Sequence, residues 1–137
     1  MANEKILVID DDPDLVEVIR LTLEASGYQV DSAASGAEGL QKVKDVDPDL
    51  IILDVMMDYT TEGFQVSLAL RSPDPKSEYA AYRGIPILML TALHTTTPLR
   101  FGPEEDYLPV DDFVEKPLEP AELVNKIEGL LQKAKAS

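Results

Sequence analysis

The stretch PDLIILDVMM, Pro48 to Met57, drives an unbroken apolar run straight into an unaccompanied carboxylate, Asp54. Leu50, Ile51, Ile52 and Leu53 do not alternate with polar residues, the pattern of a strand that helices cover on both faces. Asp54 is therefore predicted at the carboxyl end of a buried strand. Taken alone, an acid there reads as a cap for the following turn. Repetition changes that reading: KILVIDDD reaches Asp10, Asp11 and Asp12, IPILMLTA reaches Thr91, and DFVEKP reaches Lys116. Four apolar runs thus deliver polar groups to one edge. In an open, doubly wound α/β sheet, ligands bind in the crevice outside the carboxyl ends of the strands. Acids, a hydroxyl and an ammonium are expected to converge there.

The segments between these runs read as helices. Asp12 is a candidate N-cap with Pro13 at the first helical position, and Leu15, Val16, Ile19 and Leu23 recur at helical spacing until Gly27. YQVDSA is a short second strand. Ser35 with Glu38 forms a capping box that opens a helix through Ala37, Leu40 and Val43, ending at Asp47-Pro48. Thr61 is predicted to cap a third helix carrying Phe64, Leu68 and Arg71. The chain then loosens from Ser72 to Gly84, with Tyr79 and Tyr82 on one short turn. A fourth strand is expected over Ile85–Leu90 and a fifth near Asp112–Val114. The last helix opens at Pro120 with Leu123, Ile127, Leu130 and Leu131 as its apolar stripe, and Lys126 and Lys133 suit its carboxyl end. Strands alternating with helices imply right-handed crossovers and a parallel sheet, hence an α/β fold.

Size and charge narrow the function classes. A chain of 137 residues fits one domain, 1–137, without metals or disulfides to hold it. Lys and Arg total 12 against 26 Asp and Glu, a formal charge of −14 that repels phosphate backbones and anionic membranes. Direct nucleic-acid and membrane binding are not expected. The absence of Cys excludes disulfides and thiolate zinc sites. The apolar run Ile6–Ile9 is too short for a signal peptide, and no stretch is long enough to span a membrane. The expected location is the cytoplasm.

Oxygen ligands without His or Cys suit a hard ion, and Mg²⁺ characteristically takes one or two carboxylates, here Asp11 and Asp54, while keeping waters and phosphate oxygens. Crowded carboxylates repel, so a divalent cation or Lys116 is needed to keep them ionised together. Asp12 reads as a helix cap alone. Thr91, followed by the small Ala92, can offer its hydroxyl to a phosphoryl oxygen or serve as an ordinary strand-end residue. Lys116 can be a surface lysine, but its place between an apolar strand and Pro117 points it to the crevice. His94, the sole histidine, reads as a surface residue.

With ILVIDDD, LIILDVMM, ILMLTA and DFVEKP in this order, the chain resembles the receiver domain of two-component response regulators along essentially its whole length. The resemblance implies a five-stranded parallel sheet of flavodoxin-like order 2-1-3-4-5. It implies that Asp54 is the phosphoacceptor, that Asp10 and Asp11 are the acidic pair around Mg²⁺, and that the backbone carbonyl of Met56 is a further metal ligand. Thr91 and Lys116 would contact the phosphoryl group, with Thr91 and Phe113 as switch residues; Phe113 can equally be core alone. The implied partners are a histidine kinase or phosphotransfer protein and a downstream protein, within a phosphorelay. Such a chain is not an enzyme toward other substrates and catalyses only its own phosphorylation and dephosphorylation.

The pattern departs from the family at several points. Asp58 stands where a proline is usual, and Gly63 arrives one residue late. The segment from Pro73 to Gly84 is longer than usual. HTTTPLRFGPEEDYLPVDD, from His94, carries Pro98, Pro103 and Pro109, and each proline inside a helix costs roughly 3 kcal/mol. An irregular loop is expected over 94–109 in place of a fourth helix. Because the given sequence stops at residue 137, the leading expectation is a stand-alone receiver, with an excised piece of a longer protein also allowed. The alternatives are a pseudo-receiver that binds unphosphorylated, which the complete set of acids, Thr and Lys disfavours, and a haloacid-dehalogenase-like phosphohydrolase. The latter needs an Asp two residues after the nucleophile, where Met56 stands.

Overall fold

The computed structural model describes residues 4–54, 66, 69–70, 76, 78–82, 84–91, 112–115 and 119–136. The strands are β1 (Lys5–Ile9), β2 (Gln29–Ala33), β3 (Leu50–Asp54), β4 (Ile87–Thr91) and β5 (Asp112–Glu115). Between and after them lie α1 (Pro13–Ala25), α2 (Gly36–Val46), a single 3-10 turn (Ala80–Tyr82) and α3 (Pro120–Ala136). The five strands form one parallel sheet in the order β2-β1-β3-β4-β5. This is the order that the resemblance to receiver domains implies. The first step goes outward from β1 to β2 and the next returns past it to β3, so the order reverses between β1 and β3, the crevice where such sheets bind ligands.

Each sheet face is a separate core. Ile6, Val8, Leu50, Ile52, Leu88 and Leu90 meet Ile19 and Leu23 of α1 and Leu123, Ile127, Leu130 and Leu131 of α3. On the other face Leu7, Ile9, Ile51, Leu53 and Ile87 meet Val43 of α2 together with Val66 and Leu70. Fully burying one such side chain stabilises by roughly 1.5–3 kcal/mol, so both faces of β1, β3 and β4 are apolar and no alternation survives in them, whereas the edge strand β2 alternates exposed and buried residues.

The helix ends follow local chemistry. The Asp12 carboxylate accepts from the N–H groups of Asp14 (3.0 Å) and Leu15 (3.3 Å), and Pro13 opens α1. At the other end Tyr28 N–H donates to the Leu23 carbonyl (3.1 Å) and Gly27 N–H to that of Glu24 (3.0 Å), the Schellman arrangement. It requires the positive φ of 96° at Gly27 that glycine adopts without strain. Ser35 Oγ accepts from Glu38 N–H (3.1 Å), while Glu38 Oε1 reaches back to Ala34 N–H (2.9 Å), one residue before the usual capping-box partner. Asp47 ends α2 in the left-handed region, φ 52°.

Several expectations are corrected. Strand four begins at Ile87, not Ile85, and runs on to Thr91. Ile85 donates its N–H to the Tyr82 carbonyl (3.1 Å), closing a turn, and Pro86 has no N–H to give. Strand five extends one residue further, to Glu115. Ala37 is exposed, and the buried positions of α2 are Gly36, Gly39 and Val43, because glycine allows the helix closer to the sheet than alanine does. In the third helical stretch Val66, Ala69 and Leu70 are helical, with Val66 and Leu70 buried. The residues expected to carry it, Thr61, Phe64, Leu68 and Arg71, lie outside the described residues. So does the loop expected over 94–109.

Candidate functional site

The carboxyl ends of β1 and β3 make the site. Ile9 pairs with Leu53 across β1 and β3, so one residue further Asp10 and Asp54 stand side by side on adjacent strands. Asp10 is 2% exposed and Asp54 1% exposed, the only buried charged residues among those described. Asp11, half-buried, follows on the turn into α1. One carboxylate oxygen from each of Asp10, Asp11 and Asp54 lies within 4.8 Å of the others.

Asp10 is held from two directions. Its backbone N–H continues the β1–β2 ladder to the Ala33 carbonyl (3.0 Å), and its Oδ1 accepts the Asp12 N–H (2.9 Å). The second contact is an Asx turn, an Asp bonding the backbone two residues on. Asp12 therefore does more than cap α1: its N–H fixes the carboxylate of Asp10. The DDD run carries that signal, since an acid two residues before a helix cap can close such a turn.

The remaining expected residues divide. Asp54 pairs with Leu90 across β3 and β4, so Thr91 stands one step past it on the neighbouring strand, at the same edge. Thr91 in turn pairs with Glu115, and Phe113 with Met89, placing Phe113 within β5 two residues before that edge. Met56 and Lys116 lie outside the described residues, as does His94.

The donor set suits a hard divalent cation. Around Mg²⁺, with metal–oxygen distances of about 2.1 Å, opposite ligands are about 4.2 Å apart. The three carboxylates offer oxygens within 4.8 Å of one another, a spacing comparable to that separation. Two of the three carboxylates are buried, and carboxylates this close repel one another, so a cation at this point relieves their mutual repulsion. Among the described residues no helix is long and apolar enough to cross a membrane.

Comparison with known proteins agrees with this geometry. Residues 6–128 match the response regulator receiver domain. The chain is 34% identical over 131 residues to the DNA-binding response regulator MtrA of Mycolicibacterium smegmatis, covering 96% of this chain and 52% of that protein. It is 36% identical over 132 residues to the alkaline phosphatase synthesis transcriptional regulatory protein PhoP of Bacillus subtilis, covering 96% and 50%. It is similar in structure to the chemotaxis protein CheY4 of Vibrio cholerae, with a TM-score of 0.75 at 29% identity over 94% of this chain and 99% of that one. The chain spans about half the length of the curated relatives it matches.

Proposed function

The chain belongs to the response regulator receiver domain family, and on that premise we propose that it accepts a phosphoryl group on Asp54 from a phosphohistidine of a histidine kinase or phosphotransfer protein. The observation that carries the assignment is the position of Asp54: a buried carboxylate at a strand end, with Asp10 and Asp11 close enough to share one cation with it.

In the proposed reaction an oxygen of Asp54 attacks phosphorus in line. The new O–P bond forms as the N–P bond to the histidine breaks, and the imidazole leaves with its electron pair. Hydrolysis of the aspartyl phosphate later returns the carboxylate and inorganic phosphate. Asp10, Asp11, Asp54 and the Met56 carbonyl would hold Mg²⁺, which supplies positive charge to the phosphoryl oxygens. Asp10, fixed by Asp12 and Ala33, keeps the pocket's shape from turnover to turnover. Thr91 and Lys116 are assigned to the remaining phosphoryl oxygens. Positioning and charge neutralisation then account for the catalysis, and the chain acts only on itself.

The output follows the same assignment. Thr91 and Phe113 respond to the phosphoryl group as a shift between pre-existing conformations. The signal leaves by protein–protein contact in the cytoplasm. A charge of −14 weighs against these residues touching nucleic acid themselves. Intact-mass measurement with a small phosphodonor, with and without Mg²⁺, tests the reading. One acid-stable, hydroxylamine-labile phosphoryl adduct that requires Mg²⁺ and is absent in Asp54→Asn is the expected result. Failure of the wild type to gain the adduct, or its full gain by Asp54→Asn, overturns the assignment and favours a receiver that binds partners unphosphorylated.

A further inference from the structure

Among the described residues the sheet has an outer edge at β2, next to β1 alone. Gln29 donates its N–H to Glu4 and Ala33 accepts from Asp10, so residues 29, 31 and 33 turn their backbone groups toward β1. Val30 and Ser32, alternating with them, turn theirs outward. Such a row of outward groups is a template for another strand.

Both outward carbonyls are taken by cationic side chains, one from each face of the sheet. Arg20, on α1, donates from one guanidinium nitrogen to the Val30 carbonyl (3.0 Å) and from the other to Ser32 Oγ (3.3 Å). Lys42, on α2, donates its ammonium to the Ser32 carbonyl (2.7 Å). The next outward group along the edge, the Ala34 N–H, is taken by Glu38 Oε1 (2.9 Å). Glu17 and Glu24 lie 3.9 Å from Arg20, and Glu38 lies 4.0 Å from Lys42. Such half-exposed ion pairs add little stability, but they orient both cations along the edge.

We infer that Arg20 and Lys42 close the β2 edge to strand addition, and that the partner they exclude is the β2 of a second copy of this chain. Two copies meeting by a two-fold axis would place β2 antiparallel to β2, and each copy would have to displace both cations to pair the carbonyls of Val30 and Ser32. Oligomers of this chain are thereby steered to other surfaces.

The test compares the wild type with Arg20→Met/Lys42→Met, which keeps the apolar stems and removes the charges. Sedimentation across a concentration series is read together with hydrogen exchange at the Val30 and Ser32 amides. The double variant is expected to shift from the wild-type mass to twice that mass as concentration rises. Its Val30 and Ser32 amides should exchange more slowly over the same range, while those of the wild type show no dependence on concentration. A folded variant with wild-type mass, or a gain in mass without slowing at these two amides, overturns the inference. Should the double variant not fold, Arg20→Met and Lys42→Met are read singly in the same way. Loss of fold in both also overturns it, since the side chains would then serve the fold and not the edge.

Discussion

A Cβ built on Gly39 would lie 2.5 Å from Cδ1 and 2.8 Å from Cγ1 of Ile9, so the backbone of α2 rests directly on the residue that precedes Asp10. Ile9 is fully buried, so its side chain must shift within the core to admit a methyl there. Gly39→Ala is expected to cost about 1–3 kcal/mol, the usual penalty for an added methyl in a packed core. Ile9→Val, which removes Cδ1, should return part of the loss in the Gly39→Ala background. Denaturant unfolding of the two variants checks both statements, and a Gly39→Ala protein as stable as the wild type would contradict the close approach.

Asp11 and Asp12 are neighbours with separable roles. Asp11 is part of the carboxylate cluster, whereas the Asp12 side chain caps α1. Asp12→Ala is expected to lower stability by about 0.5–2 kcal/mol, as lost N-caps do, and to leave Mg²⁺ binding largely in place, because the backbone N–H that holds Asp10 survives the substitution. Asp11→Ala is expected to do the reverse, with Mg²⁺ affinity lost and stability little changed. Calorimetric Mg²⁺ titration beside thermal unfolding separates them. Equal loss of metal affinity in both variants would remove the distinction.

The sheet was legible because β1, β3 and β4 are buried on both faces and so appear as uninterrupted apolar runs ending in polar residues. Leu50–Leu53 before Asp54 and Ile6–Ile9 before Asp10 are such runs, and these two meet in the structure. The caps were legible too, since Asp12-Pro13, Ser35 with Glu38, and Gly27 have stereochemical meaning on their own. What the sequence hid depended on distance between elements. The burial of Gly39 in place of Ala37 follows from how closely α2 approaches β1, which periodicity does not encode. The late start of β4 follows from the Ile85–Tyr82 hydrogen bond, a local turn that an apolar residue conceals. The Asp12 N–H contact to Asp10 was within reach as an Asx pattern, but the cap reading of Asp12 obscured it.

Asp54 crowds two other carboxylates at close range, which sets up an inversion of stability with metal. Without divalent ions Asp54→Asn removes one of three like charges and is expected to be more stable than the wild type, on the order of 1 kcal/mol. Mg²⁺ binds the folded state through these same oxygens, and at a concentration one hundred times its dissociation constant it stabilises the wild type by about 2.7 kcal/mol. The variant has one ionised ligand fewer and gains less. The order of the two melting temperatures should therefore reverse between chelator and excess Mg²⁺. Parallel shifts in both proteins would indicate an ion bound elsewhere.

Tyr28 offers a test at the alkaline end. It closes the turn after α1 and is 5% exposed within the core shared by α1 and α3. Burial raises its phenol above the ordinary value of 10.0, and the nearby charges of Glu128 and then Glu4 raise it further. The sign follows from which state loses the proton first. An unfolded chain releases it near pH 10, while the folded chain still holds it. The contribution to stability is thus complete below about pH 10 and is lost as pH rises through the higher folded value. Lys44 is raised above 10.5 chiefly by its hydrogen bond to Glu78, and so loses stability over a neighbouring range in the same direction. The comparison must therefore be made against a variant that keeps Lys44. Tyr28→Phe retains the ring and that lysine. Its unfolding free energy should fall less steeply than that of the wild type as pH rises past about 10. Urea unfolding of both proteins at a series of alkaline pH values measures the two slopes. Curves that run parallel throughout would show that the Tyr28 phenol is not held in its neutral form by the fold.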